Sequence, residues 1–575
     1  MMKPSPDSVD ALIEMSMLHQ ARSRAETYGG KGRFWQRPYA ETRPRIASAV
    51  APVWFTAYPG AIITREGDMT WGQFADETGA VARYLVEDCG LQTGDAAATL
   101  LYNRPEYLTL MWACLATGVA PVALNYRYNA SEVRALLIDS DSKVLFTPAT
   151  FGAVAAEAAE GLGIPIVVIA DAAGTGEDIP GAISYDDIVA AGGSMPAEAP
   201  AGADLRLYTG GTTGAPKAVE WDLDTLLEAR RQSTWAVTGI EPPETLERAI
   251  QIAVDPATPK IVTLPMSPML HGTAQSMTMG TLALGGTVVL HAHPSMDIEE
   301  AYRLLDEHRA TRLIVAGDAL ALPLADVAER QGGLPHVKWI FSSGMRFTDE
   351  VKRRLHSLGD LEIIDLLASS EGGPFAFGIT KSVDDLPARL VLTPGAVLLD
   401  EDYNEISLED GALGILGYRG VLPKGYYGDP EKTAKTFLQI RGKRYVVPGD
   451  WARSNGDGTI DLLGRLSAVV NTGGEKVFPS EVEEVLLEHP SVGDAIVFGL
   501  PHPRFGEVVS AMVAPAEGAD IDSTELLEFV AARLAGFKKP RHLFVRESLG
   551  RSITGKVELA RVKEDAMREL QEANA

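Results

Sequence analysis

A chain of 575 residues, 46% of them hydrophobic, is too long for one simple core and can bury several. Its 52 Lys and Arg stand against 78 Asp and Glu, and the net charge of −26 argues against nonspecific nucleic-acid binding and against an anionic membrane surface, though not against a nucleotide ligand held by a local basic site. Cys89 and Cys114 are the only cysteines, so there is no zinc spacing, and a reducing, cytoplasmic setting is expected.

Residues 1–60 are irregular and rich in Arg and Pro, and no role follows from them. Met1–Gln20 lacks a continuous apolar stretch and does not read as a signal peptide. From Thr70 helix and strand patterns alternate: Trp71–Glu87 helix, Ala96–Tyr102 strand, Glu106–Thr117 helix, Pro121–Leu124 strand, Ala130–Ser140 helix, Val144–Thr147 strand. Such alternation predicts βαβ units around a mostly parallel sheet. The longest uncharged run, Tyr107–Tyr126, is broken by Gly118 and Pro121, so it reads as a buried helix and strand and no transmembrane segment is expected. Asp171–Asp204 and Glu241–Lys260 are polar stretches with little periodicity and read as loops. Strands over Ile261–Pro265, Gly286–Leu290 and Thr311–Val315, with a helix at Ile298–His308, suggest a second parallel sheet. Beyond Pro394 short strands and Gly-rich turns suggest a small β-barrel-like subdomain, and after Gly464-Arg465 a separate α+β pattern begins.

Chemistry concentrates first at Leu207–Lys217, which holds three glycines, three threonines and a lysine in eleven residues. Gly210, Gly211 and Gly214 let backbone N–H groups approach an anion, Thr209, Thr212 and Thr213 offer hydroxyl donors, and Lys217 adds a mobile charge. A phosphate-binding loop between a strand and the helix Leu223–Arg231 is the expected setting. It is not the Walker pattern, because Lys217 follows Pro216 and precedes Ala218. Downstream, Ser369-Ser370-Glu371 follows the apolar Ile363–Leu367, and a carboxylate at the end of a strand is a candidate ligand for Mg²⁺ on ATP. Asp450, in Pro448-Gly449-Asp450, can accept from a pair of hydroxyls.

These segments resemble the motifs of the adenylate-forming superfamily, in order and over roughly residues 70–560, and the variants here are most similar to acyl-CoA synthetases acting on sterol side chains and other bulky or long acids. Departures are Gly210 for Ser, Ala218 for Gly, Leu367 for the aromatic residue that stacks on adenine, Pro448 for Thr and Gly550 for Pro. The resemblance implies an α/β fold. A large N-terminal domain over 1–465 would hold two parallel-rich sheets with flanking helices and the barrel-like subdomain, and a smaller mobile α+β domain would span 466–575. It implies ATP, Mg²⁺ and coenzyme A as cofactors, with a carboxylic acid converted through an acyl-adenylate. It places Ser343-Gly344 beside adenine, Ser369 and Ser370 beside the nucleotide, Glu371 on the metal, Asp450 on the ribose and Arg465 on ribose or phosphate. Gly473 and Gly474 would line the thiol tunnel, and Phe537, Lys539 and Arg541 would take the coenzyme A nucleotide. Lys556 would contact both carboxylate and α-phosphate, Thr212 would assist it, His271 would line or gate the acyl pocket, and Ser467 would be the pivot of domain rotation. The rival readings are a peptide-synthetase adenylation module, an acyl-AMP ligase that loads a separate carrier protein, and a non-catalytic nucleotide-binding protein. A homodimer is left open.

Overall fold

The computed structural model describes residues 61–64, 67–171, 179–196, 200–209, 216–235, 239–243, 246–255, 257–465, 470–472, 475–502, 506–551, 557 and 559–573. They form two compact units. One takes its residues from 1–388, 393–395 and 419–438, and the other from 389–392, 396–418 and 439–575.

The strands of the first unit, in chain order, are β1 (Ile62–Thr64), β2 (Gly67–Met69), β3 (Ala96–Thr99), β4 (Ala120–Ala123), β5 (Ser142–Pro148), β6 (Ile166–Ile169), β7 (Ile183–Ser184), β8 (Asp204–Thr209), β9 (Lys217–Asp222), β10 (Val262–Pro265), β11 (Thr287–Val289), β12 (Arg312–Val315), β13 (Trp339–Ser343), β14 (Glu362–Ser369) and β15 (Gly372–Thr380). One sheet runs β9-β8-β4-β3-β5-β6-β7, parallel from β8 to β7, with the short strand Gly425–Tyr426 added antiparallel beyond β9. The other runs β2-β1-β11-β10-β12-β13-β14-β15 and is parallel from β1 to β14. The expectation of two parallel-rich sheets holds. Ala96–Thr99 and Ala120–Ala123 are buried throughout, as strands covered on both faces must be.

Local chemistry sets the helix ends. Thr70 and Gln73 exchange hydrogen bonds at the start of Trp71–Arg83, and Asn129 and Glu132 do the same at the start of Ala130–Asp139. Pro105 opens Pro105–Thr117 and Gly118 closes it at φ 78°, where a Cβ would lie 2.5 Å from Pro200. Two stretches expected as loops carry structure. β7 and the helix Tyr185–Ala191 lie inside 171–204, and a helix spans Leu246–Val254. The first two elements are two and seven residues long, too short to show a period. They are held by Tyr185 and Ile188, which are buried. Among the described residues no helix is long and apolar enough to cross a membrane.

In the second unit, antiparallel strands including Ala396–Leu399, Leu413–Tyr418, Asp450–Ser454 and Thr459–Arg465 enclose a core of Val397, Leu399, Ile415, Tyr445, Trp451 and Leu463. Past residue 466 a sheet of Val492–His502, Gly506–Pro515 and His542–Val545 packs with the helices Pro479–Leu487 and Ser523–Ala531. Phe478 enters the core of the short-strand region, and Ser480 Oγ donates to Leu463 O at 2.6 Å. Residues on both sides of 465 therefore pack within one unit here. The division expected at 465/466 concerns motion and returns below as a proposal.

Candidate active site

β8 and β9 are the two legs of the phosphate loop, paired antiparallel up to Thr209 opposite Lys217. This corrects the expected strand-to-helix setting: the loop closes a β-hairpin, and the helix starts only at Leu223, a full strand later. The helix Leu223–Trp235 begins a full strand beyond the loop, so the groups the hairpin itself offers an anion are backbone N–H groups, hydroxyls and Lys217. Gly210, Gly211, Thr212, Thr213 and Gly214 lie outside the described residues. Below the loop, Asp139 binds both legs: Tyr208 Oη donates to its Oδ2 at 2.8 Å and Lys217 Nζ to its Oδ1 at 3.3 Å. Burial and the bond to Asp139 push the Tyr208 pKa upward, which keeps that hydroxyl a donor. No sequence signal marks Asp139, because it sits 78 residues from Lys217 at the end of another helix.

Ser369 ends β14 opposite Gly372, and Ser370 and Glu371 form the tight turn into β15. Two side chains from the phosphate-loop side grip this turn. Trp221 Nε1, on β9, donates to Ser370 O at 3.0 Å. Tyr426 Oη donates to Glu371 Oε1 at 2.7 Å, and Tyr426 belongs to the strand that pairs with β9 at Val219. The hairpin carrying the phosphate loop thus holds the turn carrying the carboxylate. Glu371 is half-buried at the turn. Among the described residues no three His, Cys, Asp or Glu gather into a metal cage. One carboxylate fixed on one oxygen suits Mg²⁺, which takes one or two protein carboxylates and completes its shell with phosphates and water.

Ser343 ends β13, and its hydroxyl lies 2.6 Å from that of Thr273, in the first turn of the helix Gly272–Ala283. Gly344 follows at φ 78° with open space where a Cβ would be, so the backbone is accessible there. His271 caps that helix at its N-terminus and is exposed, so it is not a core histidine.

The second unit carries the other half of the expected set. Asp450 opens its strand directly opposite Arg465, so antiparallel register brings together two residues that sequence alone only ordered. Within Phe537–Arg541 the roles divide. Lys538 Nζ binds Glu481 Oε2 at 2.7 Å, and Arg453 Nη2 binds Oε1 at 2.9 Å. Burial raises the Glu481 pKa, but the bonds from Lys538 and Arg453 outweigh it and hold the carboxyl below its usual value. Lys538 is therefore a structural cation. Phe537 is 43% exposed, Lys539 is half-buried and Arg541 is exposed. The side chain of Arg465, with Gly473, Gly474, Ser467 and Lys556, lies outside the described residues.

Comparison with known proteins decides the family. AMP-binding enzyme matches residues 51–427, and AMP-binding enzyme C-terminal domain matches 481–556. The chain belongs to the AMP-binding enzyme family. A medium/long-chain-fatty-acid–CoA/3-oxocholest-4-en-26-oate–CoA ligase of Mycobacterium tuberculosis is 34% identical over 88% of this chain and 92% of its own. The medium-chain acyl-CoA ligase Mig of Mycobacterium avium is 34% identical over 92% and 98%. In fold, this AMP-binding enzyme is similar to ATP-bound MatB from Rhodopseudomonas palustris, with TM-score 0.72, 24% identity and coverage of 90% and 98%. It is also similar to the o-succinylbenzoate CoA synthetase MenE of Bacillus subtilis, with TM-score 0.71, 21% identity and coverage of 90% and 98%.

Proposed function

We propose that this AMP-binding enzyme is an AMP-forming acyl-CoA synthetase acting on a hydrophobic acid, of medium to long chain or bearing rings. The observation that carries the reading is the grip of Trp221 and Tyr426 on the Ser370-Glu371 turn, which joins the hairpin assigned here to phosphate to the carboxylate assigned here to the metal. The ligases at 34% identity supply the substrate class.

In the first half-reaction a carboxylate oxygen attacks the α-phosphorus of ATP and pyrophosphate leaves. In the second a thiol sulfur attacks the acyl carbon and AMP leaves. A carboxylate is a poor electrophile and AMP a good leaving group, so catalysis rests on positioning and on cationic stabilisation of phosphate charge. The roles assigned are Lys217 with the Thr-rich loop on the phosphates, Glu371 on Mg²⁺, Asp450 on the ribose and Lys556 on the α-phosphate and carboxylate. Glu371 would hold Mg²⁺, which would supply charge neutralisation at the phosphates. Lys556 and Gly473-Gly474 serve different steps at one carbon, so the segment after Arg465 turns between half-reactions about Ser467.

A panel of carboxylates from acetate upward, read by AMP formation with and without coenzyme A, tests the reading. Activity that rises with apolar length and needs coenzyme A for turnover is expected, because each buried methylene contributes about 0.8 kcal/mol. Acetate used as well as octanoate would overturn the substrate class. Acyl-AMP formed without any thioester would favour loading of a carrier protein instead.

A further inference from the structure

Arg312 begins β12 and is 1% exposed, yet Nε and Nη2 have no hydrogen-bond partner among the described residues. Its guanidinium lies 5.9 Å from the ring centre of Trp339 and 5.5 Å from that of Phe341, on the same face of the sheet. Burial pulls its pKa down to about 10, so it remains cationic at neutral pH. A buried cation resting on two rings, with its bidentate edge unsatisfied, is costly to fold around and calls for a reason.

The surroundings supply one. On this face lie Ile314, Phe341 and Ile364, covered by Ala274 and Met277 of the Gly272–Ala283 helix, with Trp339, Leu366, Phe377 and Ile379 only partly buried beside them. The helix starts at the catalytic edge, where Thr273 meets Ser343, and descends to Thr281, whose hydroxyl lies 2.7 Å from that of Thr263. Thr263 is the cross-strand partner of Arg312. Eight helical residues span about 12 Å. Along β13, Trp339, opposite Arg312, and Ser343 are four residues apart, and four strand residues span about 13 Å. Two rulers therefore set Arg312 about 12–13 Å below Thr273 and Ser343, beneath a packed apolar layer. Met277 is the adaptable side chain in that layer, able to move aside for an acyl chain.

We propose that Arg312 is the floor of the acyl slot and binds an oxygen acceptor at the far end of the acid, a second carboxylate or a ring ketone. The Nε and Nη2 fork matches two lone pairs on a carboxylate or on one carbonyl oxygen. The inference rests on the synthetase reading and narrows it: the preferred substrates are long or ring-bearing acids oxygenated at the end remote from the reacting carboxyl.

The test compares kcat/KM for hexadecanedioic against hexadecanoic acid, and for a sterol-side-chain acid with and without its ring ketone. In the native enzyme at least one oxygenated member exceeds its plain counterpart by about tenfold or more, because a site built for a hydrogen-bonded group rejects the analogue that lacks it. That ratio collapses toward one or below in Arg312→Met, and falls part of the way in Arg312→Lys, which keeps a charge but loses the fork. If Arg312→Met does not fold, the native ratios and Arg312→Lys decide. Plain acids used as well as both oxygenated ones, or an unchanged ratio in the variants, would overturn the assignment while leaving the synthetase reading intact. Failure of every acid to release AMP would overturn both.

Discussion

Tyr426 stands 55 residues from Glu371, and its hydroxyl fixes the carboxylate that the sequence offered only as a strand-end acid. Glu371→Gln keeps the shape and removes the charge, so MgATP-dependent AMP formation falls by about 10²-fold or more. Tyr426→Phe leaves the carboxylate but unpins it, and the Mg²⁺ concentration for half-maximal activity rises. A Mg²⁺ titration of both variants checks this, and unchanged curves would remove Glu371 from the metal site. Lys556→Ala lowers acyl-AMP formation by roughly 10²–10³-fold, while supplied acyl-AMP is still converted to thioester. Equal loss in both half-reactions by a folded variant would reassign Lys556. At this scale residue types were legible and their partners were not: Asp139, Trp221 and Tyr426 lie on other elements, and no local spacing announces them.

Pairs of elements carry a second kind of information. The helix Trp71–Arg83 packs on the helix Tyr185–Ala191, where Tyr185 Oη donates to Glu77 Oε2 at 3.3 Å. Burial first, then the negative charge of Glu106, raises the Glu77 pKa to about 7 against the Tyr185 hydrogen bond. The sign follows directly: with the folded pKa above the unfolded one, Glu77 disfavours the folded state once it ionises. Its contribution to stability is full below pH about 4.5 and is lost as pH rises through about 7. Glu77→Gln therefore raises Tm at pH 8 relative to the native chain and has little effect at pH 4, read by thermal melts across that range. A Tm difference independent of pH would show that Glu77 titrates normally. The phosphate loop belongs to this scale too. Its residues pointed to an anion site, but Leu223–Arg231 suggested an adjoining helix, and pairing of β8 with β9 put a strand in between. Lys217–Asp222 is too short and too mixed in polarity to announce itself as a strand.

For the whole molecule, alternation between half-reactions is the property to test. Ser467→Pro fixes φ near −65° at the proposed pivot. The variant keeps one half-reaction, adenylation, and loses the other by a much larger factor. Pre-steady-state acyl-AMP formation, measured beside coenzyme A-dependent consumption of acyl-AMP, reads both. Near-normal rates for both would place the pivot elsewhere.

By itself the sequence determined the α/β class, the two parallel-rich sheets and the family, because hydrophobic period and the order of motifs are properties of consecutive residues. It also offered Glu371, Asp450 and Lys217 as candidates, since few other side chains suit a metal, a ribose or a phosphate. Only the tertiary structure set Asp450 opposite Arg465, drew Lys538 into the Glu481 pair and buried Arg312 against Trp339 and Phe341. Each depends on strand register or on contacts between distant segments. Those are fixed by the packing of whole faces, and no short window of sequence contains them.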